Sequence, residues 1–298
     1  MKSVLITGGT GLIGRRLSFL LQSKGYEVRL LSRQPNPKAK YPSFVWDISK
    51  GYIDKNAFEE LDYIIHLAGA GIADERWSEE RKKVLIDSRV ASTKLLLKYV
   101  RRFEIPIKAF VSSSAIGYYG SVTSEITFDE DENSGTDFLA QVCKLWEEAI
   151  FEFETENIRT VAIRTGIVLS KNGGALKKML TPIIAPLGTG EQYMPWIHIN
   201  DLCEIYINAL QNKSLEGVFN AVAPEHETNT TFSKKLAKAA KRIFLPIGAP
   251  AFLLKLIFGE MATILLNGSK ISSEKIRKAG FKFEFPLLKD ALSDILKK

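Results

Sequence analysis

The sequence predicts an α/β protein in which a largely parallel sheet is covered by helices on both faces. Short apolar runs alternate with amphipathic helical stretches through the first two thirds of the chain. A glycine-rich turn joins the first apolar run to the first helical stretch. With 45% hydrophobic and 25% charged residues, the composition lies far from the polar, highly charged range in which chains stay unfolded.

Strands are expected at Val4 to Thr7, Val28 to Ser32, Tyr63 to Ala68, Ala109 to Ser113 and Thr160 to Arg164. Between them Leu12 to Lys24, Glu79 to Phe103 and Phe138 to Phe153 carry apolar residues at helical spacing. After Gly166 the rhythm changes, and Gly173, Gly174, Pro182, Pro186, Gly188 and Gly190 mark excursions from the sheet. The expected division is a dinucleotide-binding domain over 1–170, which later strands rejoin if they re-enter its sheet, and a substrate and helical lobe over 171–298. Within that lobe, Pro246 to Phe285 reads as a compact helical appendix. Its apolar faces dock on the same chain or on a second copy in a homodimer.

Charge and cysteine content exclude several classes. The 41 Lys and Arg are interleaved with 34 Asp and Glu, so the formal net charge of +7 does not gather on one stretch, and no nucleic-acid partner is expected. Cys143 and Cys203 are too few for a disulfide framework and lack metal-site spacing, so no metal is expected and a reducing, cytoplasmic compartment fits. Met1 to Ser3 run straight into Val4, which leaves no room for a signal segment. The most apolar later stretch, Ile243 to Leu266, is broken by Pro246, Gly248, Pro250, Lys255, Gly259 and Glu260, and no membrane span is expected. The expected partner is a small-molecule substrate.

The turn Thr7-Gly8-Gly9-Thr10-Gly11-Leu12-Ile13-Gly14 follows a β-branched strand and opens a helix. Glycines there permit a tight bend and close approach of a pyrophosphate to free N–H groups at the helix start. This strand–turn–helix context is that of a Rossmann-type doubly wound sheet. A fold selecting NAD usually ends its second strand on an acid that takes the ribose 2′-hydroxyl, whereas here Val28 to Leu31 runs into Ser32-Arg33-Gln34. A guanidinium at that place suits a 2′-phosphate and so NADP(H); the alternative is an Arg33 that is merely solvated. Asp47, in Trp46-Asp47-Ile48, is placed to meet the adenine. Ala68 and Gly69 end the third expected strand with residues small enough for backbone to approach the cofactor.

These strings resemble the extended short-chain dehydrogenase/reductase superfamily, through the Thr7 to Gly14 turn, His66-Leu67-Ala68-Gly69, Ser112-Ser113-Ser114 followed by Tyr118, and Trp196 to Asp201. Within it the chain is similar to an atypical subgroup of the NAD-dependent epimerase/dehydratase family with a C-terminal domain of unknown function. That likeness rests on Ile72 to Trp77, Ser114 to Gly120, Asp137 to Ala140 before Trp146-Glu147, and Arg164 to Leu169, and it covers essentially the whole chain.

The resemblance implies a Tyr general acid four residues before a Lys on one helix, with a Ser ending the preceding strand. Lys144 stands at the Lys position, and Ala140 stands where the Tyr belongs. Three readings stay open: Tyr118 acts as the acid with Ser113 or Ser114, another group such as His198 does so, or NADP(H) is bound without turnover. Ser114, Tyr118 and Lys144 are therefore the candidate catalytic residues. Gly8, Thr10, Gly11, Leu12, Ile13, Gly14, Ser32, Arg33, Asp47, Ala68, Gly69, Lys144 and Arg164 are the candidate cofactor residues. Trp77, Tyr118, Met194 and Trp196 line a substrate pocket or belong to the core, and Arg76 and Arg89 hold an anionic substrate or are solvated. The expectation is an NADP(H)-binding oxidoreductase or epimerase-like protein acting by hydride transfer on a small carbonyl or hydroxyl compound. The competing class is a non-catalytic sensor or regulatory protein.

Overall fold

The computed structural model describes residues 1–34 and 39–297. Eight strands form the main sheet: β1 (Ser3–Thr7), β2 (Glu27–Ser32), β3 (Ser43–Asp47), β4 (Tyr52–Ile53), β5 (Tyr63–His66), β6 (Ala109–Ala115), β7 (Arg159–Thr165) and β8 (Gly217–Ala221). Their spatial order is β8-β7-β6-β5-β1-β2-β3-β4. Every pair is parallel except β3 with the short edge strand β4. The order reverses between β1 and β5, and in such sheets the crevice at that reversal, beyond the carboxyl ends of the strands, is the ligand site.

Alternation along the strands explains the layering. On β1, Val4 and Ile6 pack with Leu17 and Leu21 of helix α1 (Leu12–Ser23) and with Leu202 and Tyr206 of helix α4 (Ile199–Gln211). Leu5 points the other way, joining Leu95 and Leu96 of α2 (Glu79–Arg102) and Trp146 and Ile150 of α3 (Phe138–Phe151). The strands are buried on both faces, so they read as unbroken apolar runs. Ser78 and Asp137 start α2 and α3 by accepting from the backbone N–H groups of Arg81 and Ala140, which stops each helix at a defined first turn.

Three sheet strands, β3, β4 and β8, lie outside the expected set. β3 lies in Ser43 to Asp47, and β8 lies well past residue 170, returning after α4 as the last strand beside β7. The sheet therefore extends beyond the expected boundary, and what remains as a separate lobe is smaller. Its core joins Leu169, Leu176, Ile184, Met194 and Trp196 to Phe232, Leu236, Leu288 and Leu292. Among the described residues no helix is long and apolar enough to cross a membrane.

The glycine turn is locked by packing at two of its positions. Gly8 has φ +68°, and a side chain there would come within 2.9 Å of the Leu67 carbonyl carbon. A Cβ at Gly14 would collide with the Gly8 carbonyl oxygen and lie 2.6 Å from the Gly9 Cα. Both obstacles are backbone, which has nowhere to retreat. Gly14→Ala is accordingly expected to destabilise the chain by about 1–3 kcal/mol, the range for overpacking a close-packed site. Urea unfolding of the purified variant measures it, and a midpoint equal to the parent's would contradict this account of the turn.

Candidate functional site

The crevice is organised by three buried polar side chains. Thr7 ends β1 opposite His66, which ends β5. The Thr7 hydroxyl oxygen accepts from the Leu67 and Ala68 backbone N–H groups, each at 3.1 Å, and lies 2.7 Å from His66 Nδ1. With both acceptor positions taken, its proton goes to Nδ1, which puts the imidazole proton on Nε2, facing Ser92 Oγ at 3.1 Å. His66 is wholly buried and its pKa is pushed down to about 3, chiefly by burial and then by the positive charge of Arg89. It is a neutral strut.

The strut ties Leu67 and Ala68 to the end of β1, and a cleft of about 970 Å³ opens beyond the two strand ends. Gly8, Thr10, Gly11, Ser32, Arg33, Ala68 and Gly69 all line it, so these expected cofactor residues are brought together. A Cβ at Gly11 would meet only the Gly8 carbonyl oxygen, at 3.2 Å, so this glycine leaves space on the cleft side. Gly11 also starts α1 without any side-chain cap, and the first turn of α1 contains no acidic residue. The N–H groups of Leu12, Ile13 and Gly14 therefore belong to an uncapped helix start at the cleft, an arrangement that attracts an anion. Arg33 is exposed at the cleft wall just beyond the end of β2, and among the described residues it makes no ion pair.

Asp47 is placed otherwise. Its Oδ1 accepts from Ser49 Oγ at 2.7 Å and from the Lys50 N–H at 3.2 Å, and those hydrogen bonds hold its carboxyl below the usual range. The neighbours Trp46 and Ile48 line the cleft instead, so the apolar walls at this end come from either side of the acid.

At the opposite end the structure departs further from the expected set. Lys144 is on the exposed face of α3 and is not brought to the strand end, because a helix turns 100° per residue and the buried face is centred on Ala140, Cys143 and Glu147. The i, i+4 pair that meets the turn after β6 is Leu139 and Cys143. A Cβ at Gly117 would lie 3.4 Å from Leu139 Cβ and 3.5 Å from Cys143 Sγ. The expected Ala140 and Lys144 are one residue out of register with that face. Burial pushes the Cys143 thiol up to about 12, so it stays protonated.

Arg164 and Ser114 are consumed in a buried network. Arg164 donates Nε and Nη2 to the two carboxylate oxygens of Glu147, at 2.9 and 2.8 Å, and Nη1 to the Tyr119 hydroxyl at 3.0 Å. Ser114 Oγ donates to Glu147 Oε1 at 2.6 Å, and the Tyr119 hydroxyl donates to Asn220 Oδ1 at 2.8 Å. These contacts pin β6, β7, β8 and α3 together and keep the guanidinium buried. Tyr118 is half-buried on the same turn, with the Arg164 guanidinium carbon 3.4 Å from its ring centroid.

The expected substrate pocket divides. Trp77 lies near the start of α2, edge-on to Phe138 with centroids 5.1 Å apart, and donates Nε1 to the Ile72 carbonyl. Met194 and Trp196 sit in the core of the C-terminal lobe, Trp196 with no exposure at all, so neither lines a pocket. His198 is equally internal, capping α4 through Nδ1. Arg76, exposed, donates Nη2 to the Leu256 carbonyl of the helix Ala251–Phe258, and Arg89 donates to the Leu85 carbonyl one turn back on α2 and to the Ala70 carbonyl at the cleft wall.

A doubly wound sheet with a glycine cradle at its switch point defines a dinucleotide-binding α/β protein. Comparison with known proteins narrows this. The sequence profile of the NAD dependent epimerase/dehydratase family matches residues 4–221, and that of a domain of unknown function, DUF1731, matches residues 249–295. The chain belongs to the NAD dependent epimerase/dehydratase family. It is 36% identical to the mouse epimerase family protein SDR39U1, over 98% of this chain and 99% of that protein. It is 35% identical to a Staphylococcus aureus epimerase family protein over the full length of both. Among solved structures, human SDR39U1 (isoform 2), crystallised with NADPH, superposes with a TM-score of 0.86 at 34% identity, covering 98% of each chain. A UDP-N-acetylglucosamine 4-epimerase from Bacillus cereus shares the fold at a TM-score of 0.80 and 17% identity, with 99% of this chain and 98% of that one covered.

The buried histidines make stability pH-dependent. In the unfolded chain a histidine binds a proton near its ordinary value of 6.5, whereas folded His66 does so only near 3 and His198, also lowered by burial, near 4. The unfolded state then binds more protons, so this stability is present above 6.5 and is lost as pH falls. Asp201, raised to about 6 by burial, opposes one of the two. A net slope of about 1.4 kcal/mol per pH unit is expected between about pH 5.5 and 4.5. Urea melts across this window measure it, with His66→Gln giving a shallower slope. A slope for His66→Gln equal to the parent's would show that His66 is not held neutral.

Proposed function

We propose that the cleft binds NADPH and that the chain is an oxidoreductase or epimerase-like enzyme acting on a small carbonyl or hydroxyl compound. Arg33 carries the cofactor assignment: a guanidinium without an ion pair among the described residues stands beyond β2, where a carboxylate would repel a 2′-phosphate. The human relative solved with NADPH supports the same choice. The residues present fit the group. The turn from Gly8 to Gly14 would hold the pyrophosphate on the first N–H groups of α1, Ser32 and Arg33 the adenosine ribose phosphate, and Ala68 and Gly69 the remaining backbone. NADPH in this cleft supplies a hydride.

The chain's own contribution to chemistry is a proton, and Tyr118 is the residue we assign to it. Ser114 and Tyr119 are tied to Glu147, Asn220 and Arg164, whereas Tyr118 is the half-buried phenol left on the turn that meets Leu139 and Cys143. A second reading, binding without turnover, is favoured by that same pair, because neither an aliphatic side chain nor a protonated buried thiol replaces a Tyr and Lys relay.

Two variants separate these statements. Arg33→Asp is expected to erase or invert a preference for NADPH over NADH of roughly tenfold or more, measured by calorimetry. Equal affinity of the parent protein for the two cofactors would remove the assignment. Tyr118→Phe is expected to leave NADPH affinity unchanged and to lower the rate of NADPH oxidation with a responsive carbonyl compound by about a hundredfold or more. Full activity in this variant would eliminate Tyr118, and tight NADPH binding with no turnover across a carbonyl library would favour the binding-only reading.

A further inference from the structure

A second cleft, of about 400 Å³, lies on the other side of α1, between that helix, Ser170 to Asn172, the start of α4 and the C-terminal helix Leu288–Leu296. Arg15, Arg16, Lys171, His198, Asn200 and Asp294 line it. We propose that this cleft binds a small oxyanion that carries a hydroxyl near neutrality, of the inorganic phosphate class.

Charge is the first observation. Three cations face one carboxylate, and the 13-residue α4 begins at the cleft, adding the positive end of its dipole. Arg16 spends Nε on Asn200 Oδ1 at 2.9 Å, and Arg15 spends Nη1 on the Thr10 carbonyl at 2.9 Å. Both side chains are thus held in place by one nitrogen while others stay available for a ligand.

The second observation is His198, which is 2% exposed. Its Nδ1 accepts from the Asn200 N–H at 3.2 Å, so the neutral ring carries its proton on Nε2. Nε2 makes no well-aligned hydrogen bond among the described residues, and its nearest acceptor is the Asp294 carboxylate at a long 3.4 Å. A buried N–H without a well-aligned acceptor is rare and calls for one. A phosphate oxygen accepts from Nε2–H and from Arg16, while a phosphate hydroxyl donates to Asp294. That pairing satisfies the one acid in the cleft, which a fully deprotonated anion would oppose. Sulfate, which has the same shape and no proton near neutrality, is the natural discriminator.

Calorimetric titration of the full chain at constant ionic strength tests this with inorganic phosphate and sulfate as probes. Phosphate is expected to bind at least tenfold more tightly than sulfate. Arg16→Gln is expected to weaken phosphate at least tenfold, whereas Arg33→Gln, in the cofactor cleft, leaves it unchanged. Asp294→Ala is expected to abolish the preference for phosphate over sulfate. Arg16 and Asp294 are at the surface of the cleft, and unchanged melting temperatures identify variants that fold as the parent does. No phosphate binding, equal binding of the two anions by the parent, or a phosphate site that is lost with Arg33 and kept without Arg16 would each overturn the proposal.

Discussion

Everything in the cofactor cleft depends on one hydrogen-bonded chain, Thr7 to His66 to Ser92, at the place where the sheet order reverses. Two parallel strands that end side by side would ordinarily continue into loops packed against each other. Here one threonine hydroxyl takes the first two N–H groups beyond β5 and gives its own proton to the imidazole. The Leu67 backbone is thereby set beneath Gly8, so close that no side chain fits at that glycine. The width of the crevice and the need for glycine in the turn are two consequences of the same contact. The cost is a histidine that must remain neutral, which is tolerable because every polar atom of the ring has a partner.

The other end of the cleft follows a different logic. Glu147 and Arg164 form a bidentate pair almost wholly removed from water, and Ser114 and Tyr119 complete its hydrogen bonds. A buried pair of this kind contributes little net stability, and removing one partner is what it punishes, at about 3–5 kcal/mol. What the network provides is orientation: α3 cannot rotate about its axis without breaking both carboxylate contacts. That constraint decides which residues of α3 meet the reacting end, and it selects Leu139 and Cys143 over Ala140 and Lys144.

How far the sequence could be read follows from this contrast. The cradle was legible because its requirements are local: consecutive residues from Thr7 to Gly14 make one turn, and Arg33 needs only to follow a recognisable strand. The helix register was not, since counting from Lys144 assumes which face is buried, and Glu147, the residue that fixes the face, finds its partner 17 positions away in Arg164. Trp146-Glu147 on an apolar helix face and an arginine inside the strand Thr160 to Arg164 were the available signal, two charges with no reason to be buried except each other. A later strand rejoining the sheet was expected but could not be located for a similar reason, because Gly217–Ala221 is short and its place beside β7 is a long-range fact. Met194 and Trp196 were ambiguous by nature, as aromatic and thioether side chains suit a pocket and a core equally, and only the packing of Phe232 and Leu292 around them decides.

In the proposed function, recognition and chemistry rest on different parts of the chain. The proposed cofactor recognition draws on backbone N–H groups, glycine geometry and one exposed guanidinium, all of which come with the sheet and its first helix. The proposed proton transfer draws instead on a single side chain, Tyr118, on the turn that packs against α3. A change of one side chain can remove an acid and leave the cleft intact, whereas no single change on α3 reaches the turn at Gly8 to Gly14. The combination of a glycine turn at the cleft with Leu139 and Cys143 against Gly117 is therefore physically coherent: the sheet and α1 fix the turn, and the identity of the α3 residues that meet the end of β6 can change without altering it.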